Sequence, residues 1–598
     1  MKSVLPLVLA LSAAAVVPAQ EGPRLLWQPV MEYMVREPTK IPSRKAVGVL
    51  KMNPFITYTH LGTDFGFHGP GERFITWDQG SVSLSLENQS DWAGMWHSLA
   101  GMAIAPEETM DFQACYPGLI TAAAQPQINA LLVKATGKGR LKFEIKGPPP
   151  EQSLLWTRVL DIDDAEPRPI TLPLSPAEMR RAKFLIWTAE PGASLALTSL
   201  QFGVQMPAMP FERYVMLISL AKLARCYTPG RGLVRDRAHI TSGTFDTIPA
   251  SGMFALAVAA ASVPDVGLVD PEKAREVLLE VERDIAAAPK ARGLLPHFTR
   301  RERGKTVIHP GTEFSTVDTS LCYQGLLLGA EILGDEAAKA RLLAAMRAID
   351  FKALTLPDGS ISHGLKDDGR TLLPHGWKDW GGETALVLLQ RRLASDAPVP
   401  QVMSNTGHPW QGTGFISELQ SLFHPDFDTP TPDAVSKVNW IAARRAMLSA
   451  QKAYFPQTLP ESRAARQGWY GLSAGEGAYG TTYNVNGVDI PKQSLIHPHY
   501  MLMTATTEPD PATTYRLLGD LEKSGYLSPW GMVENISADG TRYLPMISAL
   551  NAAFEAIGSY HLMAQALKQE DVIYKASQDI PEVRAAMKIF YPGPVASR

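Results

Sequence analysis

The chain has 598 residues, of which 45% are apolar and 20% are charged, and its formal net charge is -3. A chain of this length exceeds one typical domain, so we expect two or three domains with ordinary hydrophobic cores. The near balance of charges excludes an electrostatic argument for binding nucleic acid or an anionic membrane surface.

Residues 1–19 have the composition of a secretory signal peptide. Lys2 supplies a positive start, the run from Val4 to Val17 is apolar, and small residues around Ala19 suit cleavage before Gln20. The run is short for a membrane span and no basic flank follows it. We therefore predict an exported protein, periplasmic or extracellular, with no membrane contact after cleavage.

The cysteines do not predict a disulfide scaffold, because an odd number cannot all pair within one chain. There are three of them: Cys115, Cys226 and Cys322. The last two fall within helical patterns, where we expect them to fill the core. A reactive thiol would need a basic, partly exposed setting, which neither position suggests.

Residues 20–47 are irregular, and from 48 to 204 the apolar pattern takes a period of two. Short alternating runs such as SVSLSLEN at Ser81 are separated by Gly, Pro and Asn or Asp turns. This pattern predicts an antiparallel β-sandwich. Within it, KATGKGRLKFEIKG predicts a hairpin that turns at Gly137 and Gly139.

Tryptophans of the predicted sandwich have two possible uses. They can stack on sugar rings, which would make the domain an accessory carbohydrate-binding module, or they can fill its core. The sequence does not choose between these uses for any of the four: Trp77, Trp92, Trp96 and Trp156.

From 205 to 598 two kinds of helix alternate. Charged amphipathic helices, expected to have one face in water, begin near Asp270, Glu336, Ala434 and Pro511. Mostly apolar helices that follow polar or glycine-rich loops begin near Pro249, Ser315, Gly381, Thr413, His497 and Leu544. Six inner helices ringed by outer helices predict an all-α (α/α)6 barrel, with a pocket built by the polar loops at one end.

The loops that precede the apolar helices are rich in acids and aromatic residues, which suits cleavage of a glycosidic bond. One carboxylic acid protonates the leaving oxygen while a carboxylate activates water or attacks. Acids at helix starts also serve simply to complement the helix dipole. The acids in question are Asp236, Asp246, Glu313, Asp318, Asp379, Glu383, Glu418, Glu476, Asp489 and Glu534.

Three of these acids are the catalytic candidates. Glu383, in GWKDWGGET, stands in the first turn of an inner helix behind two tryptophans and two glycines, which let a ligand approach the backbone. Glu476, in GLSAGEGAYG, has no helix to cap. Asp318 lies one turn into its helix and is either catalytic or a buried polar anchor.

Substrate contacts are expected from the other polar and aromatic residues of the same loops. The candidates are Glu313, Asp236, Arg237, His297, Trp377, Trp380, Trp410, Trp469, Tyr479, His497 and Tyr543. No cofactor or metal is predicted. The chain has no nucleotide-binding loop, no serine-hydrolase elbow and no HExxH, and His497-Pro498-His499 has no partners at ligand spacing.

Several blocks, in this order and spacing, resemble the bacterial glycoamylase-like domain family, which includes endo-β-1,2-glucanases. The resemblance covers residues 214 to 565 approximately. The blocks are IPASGMFALAVAAASVPDVGLVDPEKAREVL at Ile248, GLLPHF at Gly293, EFSTVDTSLCYQGLLLGA at Glu313, WGGETALVLL at Trp380 and GLSAGEGAYG at Gly471.

This resemblance implies an (α/α)6 barrel and hydrolysis of a β-linked glucan with inversion. It implies Glu383 as general acid and either Glu476 or Asp318 as base. The chain departs from the family at the expected mouth. Glu476 stands where the family usually has Asp, Asn551 where an acid is common, Arg542-Tyr543-Leu544-Pro545 replaces an acidic segment, and His497 and His499 are unusual.

We therefore expect an exported glycoside hydrolase that acts on a polysaccharide or oligosaccharide. Two alternatives remain open at this point. One is a polysaccharide lyase on the same barrel type, for which Tyr543 beside Arg542, with His497 or His499, would supply a base and a cation. The other is a glycan-binding protein without catalytic activity.

Overall fold

The structure is a computed structural model that describes residues 23–29, 64–78, 81–99, 118–179, 181–227, 230–238, 245–400, 402, 407–478 and 482–593. The predicted signal peptide, Cys115 and Tyr479 lie outside these residues, as does most of segment 20–47. The prediction that this segment is irregular is wrong for Arg24–Pro29, which form a strand paired with residues 201–206. Within the described residues, no helix combines the length and apolar character needed to cross a bilayer.

The first part of the described chain is one antiparallel sheet of nine strands, in the order β2-β5-β8-β6-β9-β4-β3, with β1 paired to β9 and β7 to β6. Residues in several strands alternate between buried and partly buried, as the period of two predicts. The strands are β1 (Arg24–Pro29), β2 (Asp64–His68), β3 (Ile75–Asp78), β4 (Ser81–Ser85), β5 (Ala93–Ser98), β6 (Gln127–Lys146), β7 (Leu154–Pro173), β8 (Phe184–Ala189) and β9 (Ser194–Met206).

The hairpin predicted at Gly137 and Gly139 is wrong. These residues lie inside β6, which is one continuous strand. It pairs with β7 along one edge, and along the other edge first with β9 and then with β8. Both glycines have positive φ angles, 101° and 145°, and a Cβ on Gly137 would collide with the carbonyl oxygen of Ser194. The glycines permit the irregular step where β6 changes partner, and they do not form a turn.

The tryptophans of the sheet have different environments. Trp156 is 6% exposed and belongs to the core, whereas Trp92 is 41% exposed and its ring meets His68 edge-on. Trp96 packs edge-on against Phe184. The side chain of Trp77 is outside the described residues.

The second part of the described chain is helical, with short strands between the helices. Its strands are β10 (Val234–Arg235), β11 (Arg237–Ala238), β12 (Asp246–Thr247), β13 (Phe298–Glu302), β14 (Lys305–Ile308), β15 (Phe314–Ser315), β16 (Ile361–Ser362), β17 (Gly364–Leu365), β18 (Gly376–Trp377), β19 (Ala474–Glu476), β20 (Tyr483–Val485), β21 (Leu495–Ile496), β22 (Leu527–Ser528), β23 (Gly531–Met532), β24 (Asn535–Ser537), β25 (Tyr543–Leu544) and β26 (Ile547–Ser548).

The α-helices of the described residues begin with one short helix in the sheet region. They are α1 (Pro176–Met179), α2 (Phe211–Ala224), α3 (Ile248–Ala261), α4 (Pro271–Ala287), α5 (Thr316–Ile332), α6 (Glu336–Arg347), α7 (Gly382–Ala394), α8 (Gly414–Glu418), α9 (Trp440–Thr458), α10 (Arg463–Gln467), α11 (His499–Met503), α12 (Pro511–Lys523), α13 (Ala549–Leu567), α14 (Val572–Asp579) and α15 (Pro581–Met587). Short 3-10 turns are Glu72–Phe74, Ala122–Ala124, Trp410–Gly412, Leu419–Leu422, Pro425–Asp428 and Thr504–Thr506.

Six helices pack in a closed cycle, in the order α3, α5, α7, α8, α11, α13 and back to α3. They are the six apolar helices that the sequence predicts. Every residue of α3 is buried, which explains why its apolar residues go all round the helix. A Cβ on Gly252 would collide with the backbone of Cys322, so glycine is required where α3 crosses α5.

Two members of the cycle are shorter than the sequence predicts. α8 gives way to a 3-10 turn at Leu419, and α11 does so at Thr504. Side-chain hydroxyls compete with the helical hydrogen bonds at both places, because Ser421 donates to the carbonyl of Glu418 and Thr504 donates to that of Met501. Two helix starts also lie later than predicted.

The start predicted near Ala434 lies at Trp440, since Asn439 caps α9 by accepting from the amide of Ala442. The start predicted near Leu544 lies at Ala549, because Ile547 and Ser548 instead pair with Ala238 and Arg237 as β26 and β11. This pairing ties the loop that carries Arg237 to the start of an inner helix.

Buried polar groups join the helices away from the loops that precede them. Lys222 on α2 and Glu555 on α13 form an ion pair of 2.6 Å, and each side chain is 1% exposed. His424 bonds to both Gln324 on α5 and Ser577 on α14, so the helix near the C-terminus is fastened to the cycle. The periodicity of the sequence does not predict these pairs, because they join residues far apart in the chain.

We expect Lys222→Met to lower the free energy of unfolding by about 3–5 kcal/mol, because it leaves the Glu555 carboxylate buried without its partner. Denaturant unfolding of the variant beside the wild type measures this loss. The double variant Lys222→Met/Glu555→Met is the matched control and should recover most of the loss. A single variant as stable as the wild type would show that the pair is not a buried ion pair in solution.

Candidate active site

The polar side chains of the site come from the loops and short strands that lead into the inner helices. β12 leads directly into α3, β15 into α5 and β26 into α13. Ser315, at the end of β15, accepts a hydrogen bond of 3.2 Å from the amide of Asp318 and so caps α5. Because these helices pack side by side, the residues at their N-termini meet in one region.

One group of this region surrounds His297. Its Nδ1 lies 3.0 Å from Glu313 Oε1 and 3.6 Å from Asp318 Oδ2. Burial tends to lower the pKa of His297, but the carboxylates of Asp318 and Glu313 outweigh it and raise the pKa to about 9. His297 is therefore an imidazolium at neutral pH, and it holds both carboxylates in place.

Glu383 lies beside this group in the first turn of α7. A Cβ on the preceding Gly382 would lie 2.9 Å from the carbonyl oxygen of Ile416, so only glycine lets α7 start so close to α8. Burial, together with the charge of Asp318, raises the pKa of Glu383 to about 7, although His297 acts in the opposite direction. A carboxylic acid that keeps its proton near neutral pH can act as a general acid.

A second group surrounds Glu476, which ends β19 and is 1% exposed. Arg237 Nη2 donates to Glu476 Oε1 at 2.7 Å, and Arg237 Nε lies 3.3 Å from Asp236 Oδ2. Burial raises the pKa of Glu476 to about 8 and that of Asp236 to about 6, against the influence of Arg237 on both. The proximity of Asp236 to His297 links the two groups, since each shifts the pKa of the other.

Glu534 and Asn551 complete the second group. Glu534 Oε1 accepts from Asn551 Nδ2 at 2.6 Å and from the amide of Glu476 at 3.2 Å. Neither residue is among the site candidates of the sequence analysis, although Glu534 is one of the loop acids and Asn551 stands at a position where an acid is common. For Asn551, the signal in the sequence is a polar residue in the first turn of an inner helix. For Glu534, it is only an acid in a loop.

The imidazole of His497 is buried beneath this second group. Its Nε2 lies 3.1 Å from the carbonyl oxygen of Glu476, and its Nδ1 lies 3.4 Å from Asn486 Nδ2. His499 is also buried and reaches Ser473. His497 therefore contacts the backbone of the loop that carries Glu476, and His499 contacts a side chain of the same loop. Burial lowers the pKa of each ring.

Tyr483 lies between the two groups. It is the direct partner of Glu476 in the β19–β20 pair, so the two side chains point to the same face. Burial, and then the carboxylates of Glu534 and Glu383, raise the pKa of its phenol, which therefore remains a hydrogen-bond donor. The residue as a whole is 53% exposed, so part of its ring faces the solvent.

Among the aromatic residues predicted to contact substrate, some are exposed to solvent and others are buried in the core. Trp410 is 51% exposed and available to a ligand. Trp377 is 9% exposed, donates to Thr316 Oγ1 at 2.8 Å and stacks on His363. Trp380 and Trp469, 4% and 1% exposed, pack in the core against other aromatic rings.

Tyr543 is half-buried against Tyr526. The remaining aromatic candidate, Tyr479, lies outside the described residues. The polar candidates Glu313, Asp236, Arg237 and His297 all belong to the two groups described above. The structure therefore brings together the acids and cations of the sequence analysis, but only part of its aromatic set.

A metal ion could meet one set of three side chains in the described part of the chain. Ligand atoms of His297, Glu313 and Asp318 lie within 4.8 Å of one another. The same atoms already form a hydrogen-bonded imidazolium–carboxylate group, and a protonated imidazole nitrogen cannot coordinate a metal. The hydrogen bond between His297 and Glu313 gives these side chains a role that does not require a metal ion.

No protein-family model matches the chain, and no curated protein matches it at a significant level. Solved structures share its fold. A β-1,2-glucanase from Parabacteroides distasonis matches with a TM-score of 0.55 at 11% identity, covering 89% of this chain and 98% of that chain.

Two further structures match the same fold over less of the chain. An endo-β-1,2-glucanase from Chitinophaga pinensis, in complex with sophorotriose and glucose, has a TM-score of 0.51 at 15% identity and covers 63% of this chain and 96% of that one. A candidate glucoamylase from Bacteroides uniformis has a TM-score of 0.54 at 13% identity, and the match covers 64% of this chain and 96% of that one. At such identities the likeness shows the fold, and it agrees with the resemblance that the sequence blocks carry.

Proposed function

We propose that the protein is a glycoside hydrolase that cleaves a β-glucan or a related polysaccharide without a metal ion. The observation that carries this proposal is the partly buried carboxylic acid of Glu383, whose pKa of about 7 lets it keep its proton near neutral pH. It lies in the region where the inner helices begin, here called the mouth, together with the buried carboxyl group of Glu476. A proton donor beside a second carboxyl group is what hydrolysis of a glycosidic bond requires.

We further propose that the closed cycle of helices is the inner ring of an (α/α)6 barrel over residues 205–598. The single sheet would fold over on itself to form an accessory β-sandwich over 48–204, to which β1 adds a strand from outside that range. The composition of residues 1–19 supports export to the periplasm or beyond. The resemblance of the sequence blocks, together with the solved β-1,2-glucanases that share the fold, supports a β-linked glucan as substrate.

In this mechanism each of three carboxyl groups has one role. Glu383 donates its proton to the glycosidic oxygen as the bond to the anomeric carbon breaks. Asp318 holds that proton on Glu383 beforehand, because its charge raises the pKa of Glu383. Glu476 accepts a proton from the water that attacks the anomeric carbon from the opposite face, which inverts the configuration.

A lyase fits this mouth less well. It would have to bind a uronate beside six carboxyl groups, of which the ionised ones repel an anion: Asp236, Glu313, Asp318, Glu383, Glu476 and Glu534. The candidate bases His497 and His499 are buried and hydrogen-bonded to other groups. A glycan-binding protein without turnover remains an outcome of the experiment below.

We expect the mature chain to release reducing ends from a β-glucan within a broad glycan panel, and Glu383→Gln to lose about a hundredfold or more of kcat. The amide fills the same space but cannot donate a proton to a leaving oxygen. Reducing ends and ultraviolet absorbance are read together. Absorbing unsaturated products would establish a lyase instead, and glycan binding without any product would establish a binding protein.

The matched control for this panel is Glu331→Gln. Glu331 lies near the end of α5, about 20 Å along the helix from Asp318, and bonds to Lys339. The Glu331→Gln variant should retain the activity of the wild type.

We expect the kcat/KM of the wild type to fall as the pH rises through about 7, because Glu383 then loses its proton. Asp318→Asn removes the negative charge that holds this proton, so the alkaline fall should begin at a lower pH. A pH profile of each protein from about 4 to 9 measures the shift. An alkaline fall that stays in place in Asp318→Asn would contradict the proposed influence of Asp318 on the acid.

A further inference from the structure

Two neighbouring buried carboxyl groups of the mouth each have one oxygen fixed and one oxygen without a partner. Arg237 holds Glu476 Oε1, while Asn551 and the amide of Glu476 hold Glu534 Oε1. Both Oε2 atoms are buried and, within the described part of the protein, accept no hydrogen bond. Both residues are 1% exposed.

Unpartnered acceptors of this kind are costly unless something donates to them. Leaving a buried polar group unsatisfied costs free energy of the order of a lost hydrogen bond, and here two such oxygens belong to adjoining residues. A proton between the two groups and a water molecule with two hydrogens would satisfy them, because water donates to two acceptors at once.

We propose that Glu534 is a further catalytic residue, which shares one proton with Glu476 and together with it holds the attacking water. This inference rests on the proposed hydrolase function, and it assigns the base of the reaction to a pair. In this arrangement the anomeric carbon of the sugar would lie next to the water molecule that the two carboxyl groups hold.

The pair resolves a difficulty in the mechanism with Glu476 alone. Burial and the neighbouring charges of Glu534 and Asp236 favour the protonated form of Glu476, and a protonated carboxyl group cannot accept a proton from water. With one proton shared, the other carboxyl group remains a carboxylate. The carboxylate accepts a proton as the oxygen of the water bonds to the anomeric carbon, and Glu383 protonates the leaving oxygen.

The groups that face the pair suit this role. Arg237 supplies a positive charge, Asp236 and Tyr483 lie beside Glu476, and His497 is neutral because burial lowers its pKa. Behind Glu534, the charge of Glu555 is neutralised by Lys222 in their buried ion pair. The mouth therefore offers one cation to two carboxyl groups, which is consistent with a single negative charge on the pair.

The first test is Glu534→Gln beside Glu331→Gln. The new side-chain amide keeps a carbonyl oxygen to accept from Asn551 and the Glu476 amide, so we expect the Glu534→Gln variant to fold. It cannot accept a proton from water, so kcat should fall by about a hundredfold or more while KM changes little. Glu534→Ala with added sodium azide should yield a glycosyl azide of inverted configuration, because azide enters the space of the water.

The second measurement does not require turnover. A carboxyl group whose pKa is higher in the folded state than in the unfolded state stabilises the protein at low pH. This contribution to the free energy of unfolding is lost as the pH rises from the unfolded pKa of about 4.5 toward the folded pKa, which is about 8 for Glu476. Removing the charge of Glu534 lowers the folded pKa, so the melting temperature of Glu534→Gln should fall less between about pH 5 and pH 8 than that of the wild type or Glu331→Gln.

The outcomes separate the two proposals. An active wild type with a fully active Glu534→Gln would overturn the role of Glu534 and leave the hydrolase function standing. A wild type that cleaves no glycan would overturn the hydrolase function. In that case, an equal fall of the melting temperature in all three proteins would overturn the shared proton as well, and a smaller fall in Glu534→Gln would support it.

Discussion

The loss of water around carboxyl groups is the constraint on which the mouth of this protein depends. Six acids meet where the inner helices begin, and in the described part of the chain His297 and Arg237 form ion pairs with four of them. A carboxylate that is buried must find a proton, a cation or a donor. All three occur in the mouth, since Glu476 has the guanidinium of Arg237, Glu534 accepts from the amide of Asn551, and Glu383 has a proton.

The helices make this concentration of charge possible. The inner helices are buried on nearly all sides, and α5, α7 and α13 bring polar residues of their first turns to the mouth, where the helix dipole favours negative charge. The close crossings that this requires depend on glycine at Gly252 and Gly382. In the interior, the ion pair between Lys222 and Glu555 neutralises two charges that are buried between helices. The helices therefore hold carboxyl groups close together in positions where they are poorly hydrated.

The sequence predicts most of the helices and much of the mouth, because periodicity and helix starts are local signals. Glu383 and Asp318 stand out as acids in the first turns of apolar helices. Glu534 does not stand out, since its importance arises from a contact with Glu476 across 58 residues. Trp380 and Trp469 are buried rather than exposed to a ligand, and an aromatic ring in a loop has the same local signal in either case.

The proposed chemistry makes one stereochemical demand that a single measurement tests most directly. Water held opposite the leaving oxygen must invert the anomeric carbon, so a β-linked glucan must release the α-anomer first. Proton NMR of the earliest products, recorded before the anomers interconvert, distinguishes the two forms. We expect an initial excess of the α-anomer, and an initial excess of the β-anomer would rule out inversion by a water molecule held at Glu476 and Glu534.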